Sequence, residues 1–422
     1  MMKPDDLCRR IFSASSCFVA VNCFCTFGSV LQYMLFMRLF EFREMGIITL
    51  FHTVITLTGM TQLGLLNGGF RIFSQHMPLL EPRVNNTVFS FFGVVFSAAL
   101  LLLPFHFVMP KTGSLVFVSA GIMVGCLTMM KTWLTNINIA HVNLTQLNWV
   151  NLVTTCLSFF FFLLIPVLGV IGGMLVMTFI PLSFCLVFLF RHREMRPFRF
   201  TLKKRTVLWI LYFGFVPFLT NIMTLINLEI GNLGIKFSLG TEALGKFALV
   251  QLYTNCFMLI PSSISMIFFP KMFRAYRERD QRSMSEICRN FVMLDALYIL
   301  CAVAGTILIF PFFIRMLFPK YLVSLPFVYC VMPGLCVSTL LMALNSILYV
   351  NLIQRPIFYI YGCSVILTLA GILILHWTGW MSLFRMALLK CFISVFIALS
   401  IAGYCLMKNR NLRVRFSLTA KT

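Results

Sequence analysis

Charge is scarce in this sequence, and acid is its scarcest part. Only 12 of 422 residues are Asp or Glu, and charged residues together make up 11% of the chain. A water-soluble chain of this length carries roughly a quarter charged residues, so an aqueous globular fold is excluded. Long polar segments that could form an extramembrane domain are also missing. The longest loops expected on the outer side, 231–242 and 313–324, are about a dozen residues each. The six histidines (His52, His76, His106, His141, His192, His376) are scattered, with no H-E-x-x-H spacing, and no nucleophile elbow is present. These absences leave little room for a hydrolytic or metal-dependent centre.

What is present is apolar. Hydrophobic residues make up 60% of the chain, and 47 of them are Phe. Twelve runs reach about 20 residues, the length that crosses ~30 Å of hydrocarbon. The first six are Ile11–Met37, Met45–Leu66, Val88–Val108, Ser114–Trp133, Leu147–Ile165 and Leu168–Phe190. The second six are Val207–Ile230, Ala243–Phe269, Asn290–Phe312, Leu325–Tyr349, Pro356–Leu375 and Leu383–Met407. With both termini cytoplasmic, the outer side holds only Arg38, Arg43, Lys111, Lys236, Arg315, Lys320 and Arg385 of the 34 Lys and Arg. Lys246 and Lys390 fall within spans, and every other basic residue is cytoplasmic, as the positive-inside rule requires. All five Trp (Trp133, Trp149, Trp209, Trp377, Trp380) fall at run ends, where an interfacial ring is at home.

The net charge of +22 therefore needs no nucleic acid. The basic linker 191–206 and the tail 408–422 follow from topology and from attraction to anionic lipid headgroups. All Cys except Cys8 and Cys288 lie inside the runs, where they act as small apolar filler rather than disulfides or metal ligands. "SASSC" (13–17) has too few apolar residues before it for a lipoprotein signal, so the first run is read as an uncleaved span.

The chain carries a faint internal repeat. Ser15, Asn22, Thr26, Ser29 and Tyr33 share one face of the first span. A shift of 198 positions brings Thr220, Thr224, Asn227 and Gly231 onto the same face of the seventh, and pairs Arg38 with Lys236 and Glu44 with Glu242. The expected organisation is an all-α membrane protein of about twelve helices in two six-helix lobes. These are an N-terminal lobe 1–190, the linker 191–206, a C-terminal lobe 207–407 and the tail 408–422. Paired lobes imply a rocking-bundle transporter with substrate near the midplane.

Four stretches carry a resemblance: "LGLLNGGFR" (63–71), "EMGIITL" (44–50), "GTEALGKFALVQLY" (240–253) and "MIFFPKMFRAY" (266–276). They resemble the polysaccharide exporters of the MOP superfamily, and among them the Wzx-type O-antigen and capsule repeat-unit flippases. The resemblance implies a MATE-like two-lobed fold in a bacterial inner membrane. It implies flipping of an undecaprenyl-pyrophosphate-linked oligosaccharide by alternating access, without a cofactor. The partners it implies are that lipid-linked oligosaccharide, membrane lipids and a polysaccharide polymerase of the same pathway. Lipid II flippases place arginines early in the first two spans, whereas the apolar part of this first span has none. A multidrug or small-solute antiporter is the alternative within the superfamily. A polymerase, ligase or acyltransferase is the alternative outside it. The short outer loops disfavour the first two, and the third would have only His52 as a candidate.

Candidate cavity residues are Asn22, Thr26, Ser29, Thr224 and Asn227 on the polar stripes, with Gln251 and Asn255 in span eight. The candidate cations are Arg71, Lys246, Arg385 and Lys390, the last the deepest, with no acid in its own span. Lys246 lies near a span end and could snorkel instead. Glu229 and Asp295 are the acids in or near spans, read as lying near span ends and suited to ion coupling or to a structural role. The three glycines of "TQLGLLNGGFR" (61–71) serve helix packing and a helix stop, or close approach of a headgroup. The orientation has a direct check. Cysteine at Arg199, in a chain stripped of native cysteines, should resist an impermeant thiol reagent added outside intact cells, and labelling there would reverse the topology.

Overall fold

A computed structural model of the protein describes residues 4–74, 80–102, 114–141, 143–191, 200–278, 280–350 and 355–419. Lys111, Arg199 and half of the basic linker lie outside these, as does the expected loop between the third and fourth runs. Among the described residues the chain is helical, with no strand. It divides into two compact units, Met1–Leu225 and Ile226–Thr422. Eleven helices are long and apolar enough to cross a membrane, and a bent pair, Phe42–Gln62 with Leu65–Phe73, supplies a twelfth. The expected all-α, multi-pass architecture is what the structure has.

The N-terminal unit contains α1 (Pro4–Leu39), α2 (Phe42–Thr58), α3 (Leu65–Ser74), α4 (Glu81–Leu102), α5 (Ser114–Ala140), α6 (Leu144–Ser158) and α7 (Val170–Arg191). It ends within α8 (Lys204–Leu239). The C-terminal unit takes the rest of α8, then α9 (Thr241–Arg277), α10 (Gln281–Leu308), α11 (Phe310–Leu317), α12 (Leu325–Leu340), α13 (Met342–Val350), α14 (Arg355–Trp377) and α15 (Leu383–Thr419).

Helix ends differ from the sequence expectation in an instructive way. The expected outer loop 231–242 is almost entirely helical: α8 runs to Leu239, only Gly240 intervenes at φ 89°, and α9 starts at Thr241. The counterpart joint in the N-terminal unit is nearly as short: only Phe40 and Glu41 separate α1 from α2, which Glu41 and Glu44 open with a capping box. In it the Glu41 N–H donates to the Glu44 carboxylate at 3.0 Å. The other expected loop, 313–324, holds α11 and a 3-10 turn, Pro319–Ser324. On the opposite side Asp280 caps α10, accepting hydrogen bonds from the Arg282 and Ser283 N–H groups. The Ser283 hydroxyl and N–H hold its carboxyl below the usual carboxylate range, so this cap is intact at neutral pH and weakens as pH falls.

Trp133 is a correction. It is not an interfacial ring at a span end, because α5 continues to Ala140 and buries it completely. Its indole N–H donates to Asn85 Oδ1 at 2.9 Å, and its ring meets Phe73 edge-on.

The second span breaks where the glycines are. A 3-10 turn, Gly59–Gln62, leads to Leu63 at φ 51° and Gly64 at φ 94°, and the chain bends by 59°. Beyond the bend α3 presses its glycine face onto α8. A Cβ on Gly68 would collide with the Ile210 carbonyl, and one on Gly214 would collide with the Gly64 carbonyl. Gly69 meanwhile lies against the Trp133 ring. The glycines therefore serve close helix crossing, as in other small-residue contacts between spans. Arg71 completes the contact by donating to the Phe213 carbonyl at 3.3 Å. That carbonyl lacks its ordinary helical donor, because residue 217 is proline.

Each unit carries the same internal tie. Gln32 on α1 donates its amide to the Ser158 hydroxyl on α6 at 2.5 Å, and Ser158 donates to the Thr155 carbonyl. In the second unit Asn227 on α8 donates to the Ser364 hydroxyl on α14, and Ser364 donates to the Tyr361 carbonyl. An amide on the first span thus grips a serine on the fifth in both units.

The glycine contact yields a stability test. Gly68→Val should lower the thermal stability of the purified protein by about 1–3 kcal/mol through overpacking. Thr132→Val, on an exposed face of α5, should leave it within about 0.5 kcal/mol. Equal effects from the two would contradict the close crossing.

Candidate functional site

In the N-terminal unit, α1 places Thr26 and Ser29 on its exposed surface, with Asn22 half-buried. Their hydroxyls turn back onto the Asn22 and Cys25 carbonyls of the same helix, at 2.8 and 3.1 Å. The stripe is polar yet not consumed by interhelical bonds, until Tyr33 meets Thr49 Oγ1 at 3.3 Å.

Among the described residues the most enclosed cation of this unit is Lys131, which is expected from the sequence on the cytoplasmic side. Lys131 lies inside α5, with its ammonium 5.3 Å from the centre of the Phe184 ring. Its electrostatic neighbours are Cys25 on α1 and Cys185 on α7, and among the described residues no acid acts on it. The acids assigned to this unit's sequence are Asp5, Asp6, Glu41, Glu44, Glu81 and Glu194, none inside a span interior. A signal was available: Trp133, Leu134 and Ile137 continue an apolar helix face past Lys131, so the span does not stop there. Arg71, by contrast, is exposed and engaged with the Phe213 carbonyl.

In the C-terminal unit Asn227 is the centre of a hydrogen-bonded cluster. Besides gripping Ser364, it accepts from Thr368 Oγ1 at 3.0 Å, while Thr224 bonds back to the Thr220 carbonyl at 3.1 Å. Two residues beyond Asn227, Glu229 is 4% exposed and accepts from Asn232 at 3.0 Å. Its carboxylate acts on Lys390 of α15, whose ammonium sits 5.9 Å from the Phe247 ring. Lys390 thus has an acid acting on it from α8, though none in its own span. Glu229 lies inside α8, which continues beyond it to Leu239.

Lys246 pairs with Glu242 at 2.8 Å, one turn before it in the opening of α9. Gln251 follows with its Oε1 buried and unpartnered, and Asn255 is exposed. Arg385 is exposed, stacks 5.0 Å from the Trp380 ring and donates to the Trp380 carbonyl. Asp295, also well inside its span of Arg282–Leu308, is fully enclosed, with neither carboxylate oxygen hydrogen-bonded. His52 Nδ1 is likewise buried without a partner. Among the described residues no group of three His, Cys, Asp or Glu could hold a metal ion.

Solved structures match this arrangement across nearly the whole chain. A multidrug resistance MATE family transporter of the MOP superfamily, in an inward-facing conformation, superposes with a TM-score of 0.72 at 12% identity, covering 94% of this chain and 96% of its own. The fold is that of the MOP-superfamily transporters. The lipid II flippase MurJ shares it at a TM-score of 0.69 and 10% identity, over 92% of this chain and 87% of MurJ. So does a MOP superfamily transporter from Pyrococcus furiosus, noted for a binding pocket of reverse polarity, at 0.57 and 11%, over 96% of each chain. No family model matches the sequence, and no curated protein matches it. Within the MOP fold the two polar stripes differ in use. The α8 stripe is tied to α14 through Asn227, whereas Thr26 and Ser29 on α1 bond only their own helix among the described contacts.

This difference is measurable. Asn227→Ala removes two interhelical bonds of ~0.6 kcal/mol each and should cost about 1 kcal/mol of stability, while Thr26→Val should cost little. Cysteine at Thr26 should react with a water-soluble thiol reagent in a chain lacking other cysteines. Inert cysteine there, in a folded protein, would make this stripe lipid-facing.

Proposed function

We propose that the protein moves an anionic amphiphile across the bacterial inner membrane by alternating access, its cargo being a lipid-linked pyrophosphate carrying an oligosaccharide. The observation that carries this reading is Lys131. An ammonium placed in hydrocarbon without a counterion costs ~2.5–3.5 kcal/mol on insertion scales, so such residues are retained for function. In the N-terminal unit it is joined by no intramembrane acid, a charge pattern suited to a phosphate-bearing ligand and unsuited to a cationic drug. The hydroxyls of Thr26 and Ser29, on the helix that also presents Cys25 to Lys131, supply the polar surface a glycan needs. In the C-terminal unit Lys390, acted on by Glu229, is a weaker attractor. Topology with cytoplasmic termini, and a polymerase as the downstream partner, belong to the same reading. The short joints after α1 and α8 support a transporter over an enzyme that needs an extramembrane domain. Glu229 and Asp295 favour a second reading, a cation-linked antiporter of small solutes.

The test uses vesicles containing the full chain and a fluorescent lipid-linked pyrophosphate oligosaccharide. Lys131→Gln should lower the flipping rate at least tenfold with the protein still folded, and Lys131→Arg should retain part of it. Full flipping by Lys131→Gln would overturn the role of this lysine. Stabilisation of the protein by cationic drugs, but not by the lipid-linked sugar, would favour the antiporter.

A further inference from the structure

Among the described residues two carboxylates are buried, and their surroundings are opposite. Glu229 has Asn232 to bond and Lys390 to balance its charge. Asp295 has neither: it is 0% exposed, both oxygens stand without a hydrogen bond, and no charged side chain acts on it. It is also held in place. One turn inward, Phe291 stacks on Phe268 of α9 with ring centres 5.2 Å apart. One turn outward, the Tyr298 hydroxyl donates to the Phe257 carbonyl of α9 at 2.7 Å. That carbonyl is freed because residue 261 is proline, so Tyr298 is committed to it and does not turn to Asp295. The titratable groups of the packed helices, Tyr253 and Cys256 on α9 and Cys336 on α12, act on Tyr298 and not on Asp295. Lys271, further along α9, lies over the Phe268 ring.

An ionised carboxylate in this setting would forgo every hydrogen bond it had in water, at a cost of several kcal/mol. The neutral acid avoids most of that cost. A metal ion would need several oxygen ligands, and here the two carboxylate oxygens have no polar partner to help them. We infer that Asp295 is a proton-binding site of the C-terminal unit, a carboxyl that takes a proton from water and keeps it at neutral pH while α9 and α10 are packed in this way. Parting these helices hydrates the group, so the carboxylate forms and the proton leaves to water. Use of this proton to drive transport rests on the function proposed above.

Infrared spectroscopy of the full chain in lipid tests the site without any cargo. At neutral pH the unmodified chain should show the carbonyl band of a protonated carboxylic acid, shifted by exchange into deuterium oxide. The band should be absent in Asp295→Asn and unchanged in Glu229→Gln. Lack of the band in the unmodified chain, or its persistence in Asp295→Asn, overturns the site. Should the Asn variant not fold, Asp295→Glu must move the band, and an unmoved band overturns it equally. In vesicles, a pH gradient should raise the flipping rate of the lipid-linked pyrophosphate oligosaccharide several-fold in the unmodified chain and not in Asp295→Asn. Flipping indifferent to the gradient in the unmodified chain overturns coupling. Absence of flipping under all conditions overturns the transport reading, while the infrared result stands by itself.

Discussion

A chain in hydrocarbon must satisfy its backbone polar groups internally, because no water is there to do it. Most of this structure follows from that rule, and its exceptions show how it is kept. Prolines at 217 and 261 each free a carbonyl inside a span, those of Phe213 and Phe257. In each case a polar side chain from a neighbouring helix supplies the missing donor: Arg71 in the N-terminal unit, Tyr298 in the C-terminal unit. A break in one helix thereby becomes a bond between two. The broken second span answers to the same rule. It bends at a left-handed Leu63–Gly64 pair, and α3 then settles against α8 closely enough that glycine is required on both sides.

The two units share this framework and differ in charge. The amide-to-serine tie recurs in each, from Gln32 to Ser158 and from Asn227 to Ser364. Electrostatically they are unlike. Among the described residues the first encloses a cation against an aromatic ring with no acid acting on it, and the second encloses two acids and a lysine. A tie that recurs in both units thus accompanies different enclosed charges. Such sites are set by side chains on a shared fold, and the fold alone does not dictate them.

The spans were legible in the sequence because their apolar length is a physical requirement of the bilayer. Their ends were not. Asn232, Gly234, Lys236 and Ser238 read as loop, yet α8 continues through them. Helix is cheap to extend beyond the hydrocarbon, where polar side chains cost nothing and water satisfies the last carbonyls. Lys131 was misplaced for a related reason: a charge followed by Trp resembles a span end, while the apolar face that decides the matter continues beyond it. The stripe on α1 was legible from spacing alone. The engagement of Asn227 and the influence of Glu229 on Lys390 were not, since they join helices whose facing no single-helix periodicity reveals.

The contact between Gly68 and Ile210 has a consequence for where the chain can be cut. By repeat, α8 opens the second half of the molecule, as α1 opens the first. By packing, the part of α8 before Ile226 belongs to the first unit, which uses Ile210 and Gly214 as the floor for its own broken span. The boundary of the duplicated pattern and the boundary of the folding unit are thus offset along one helix. A fragment ending in the basic linker would contain every N-terminal span and still lack the surface that α3 was shaped to meet. Two separately made halves would have to overlap through α8 for the first to be whole.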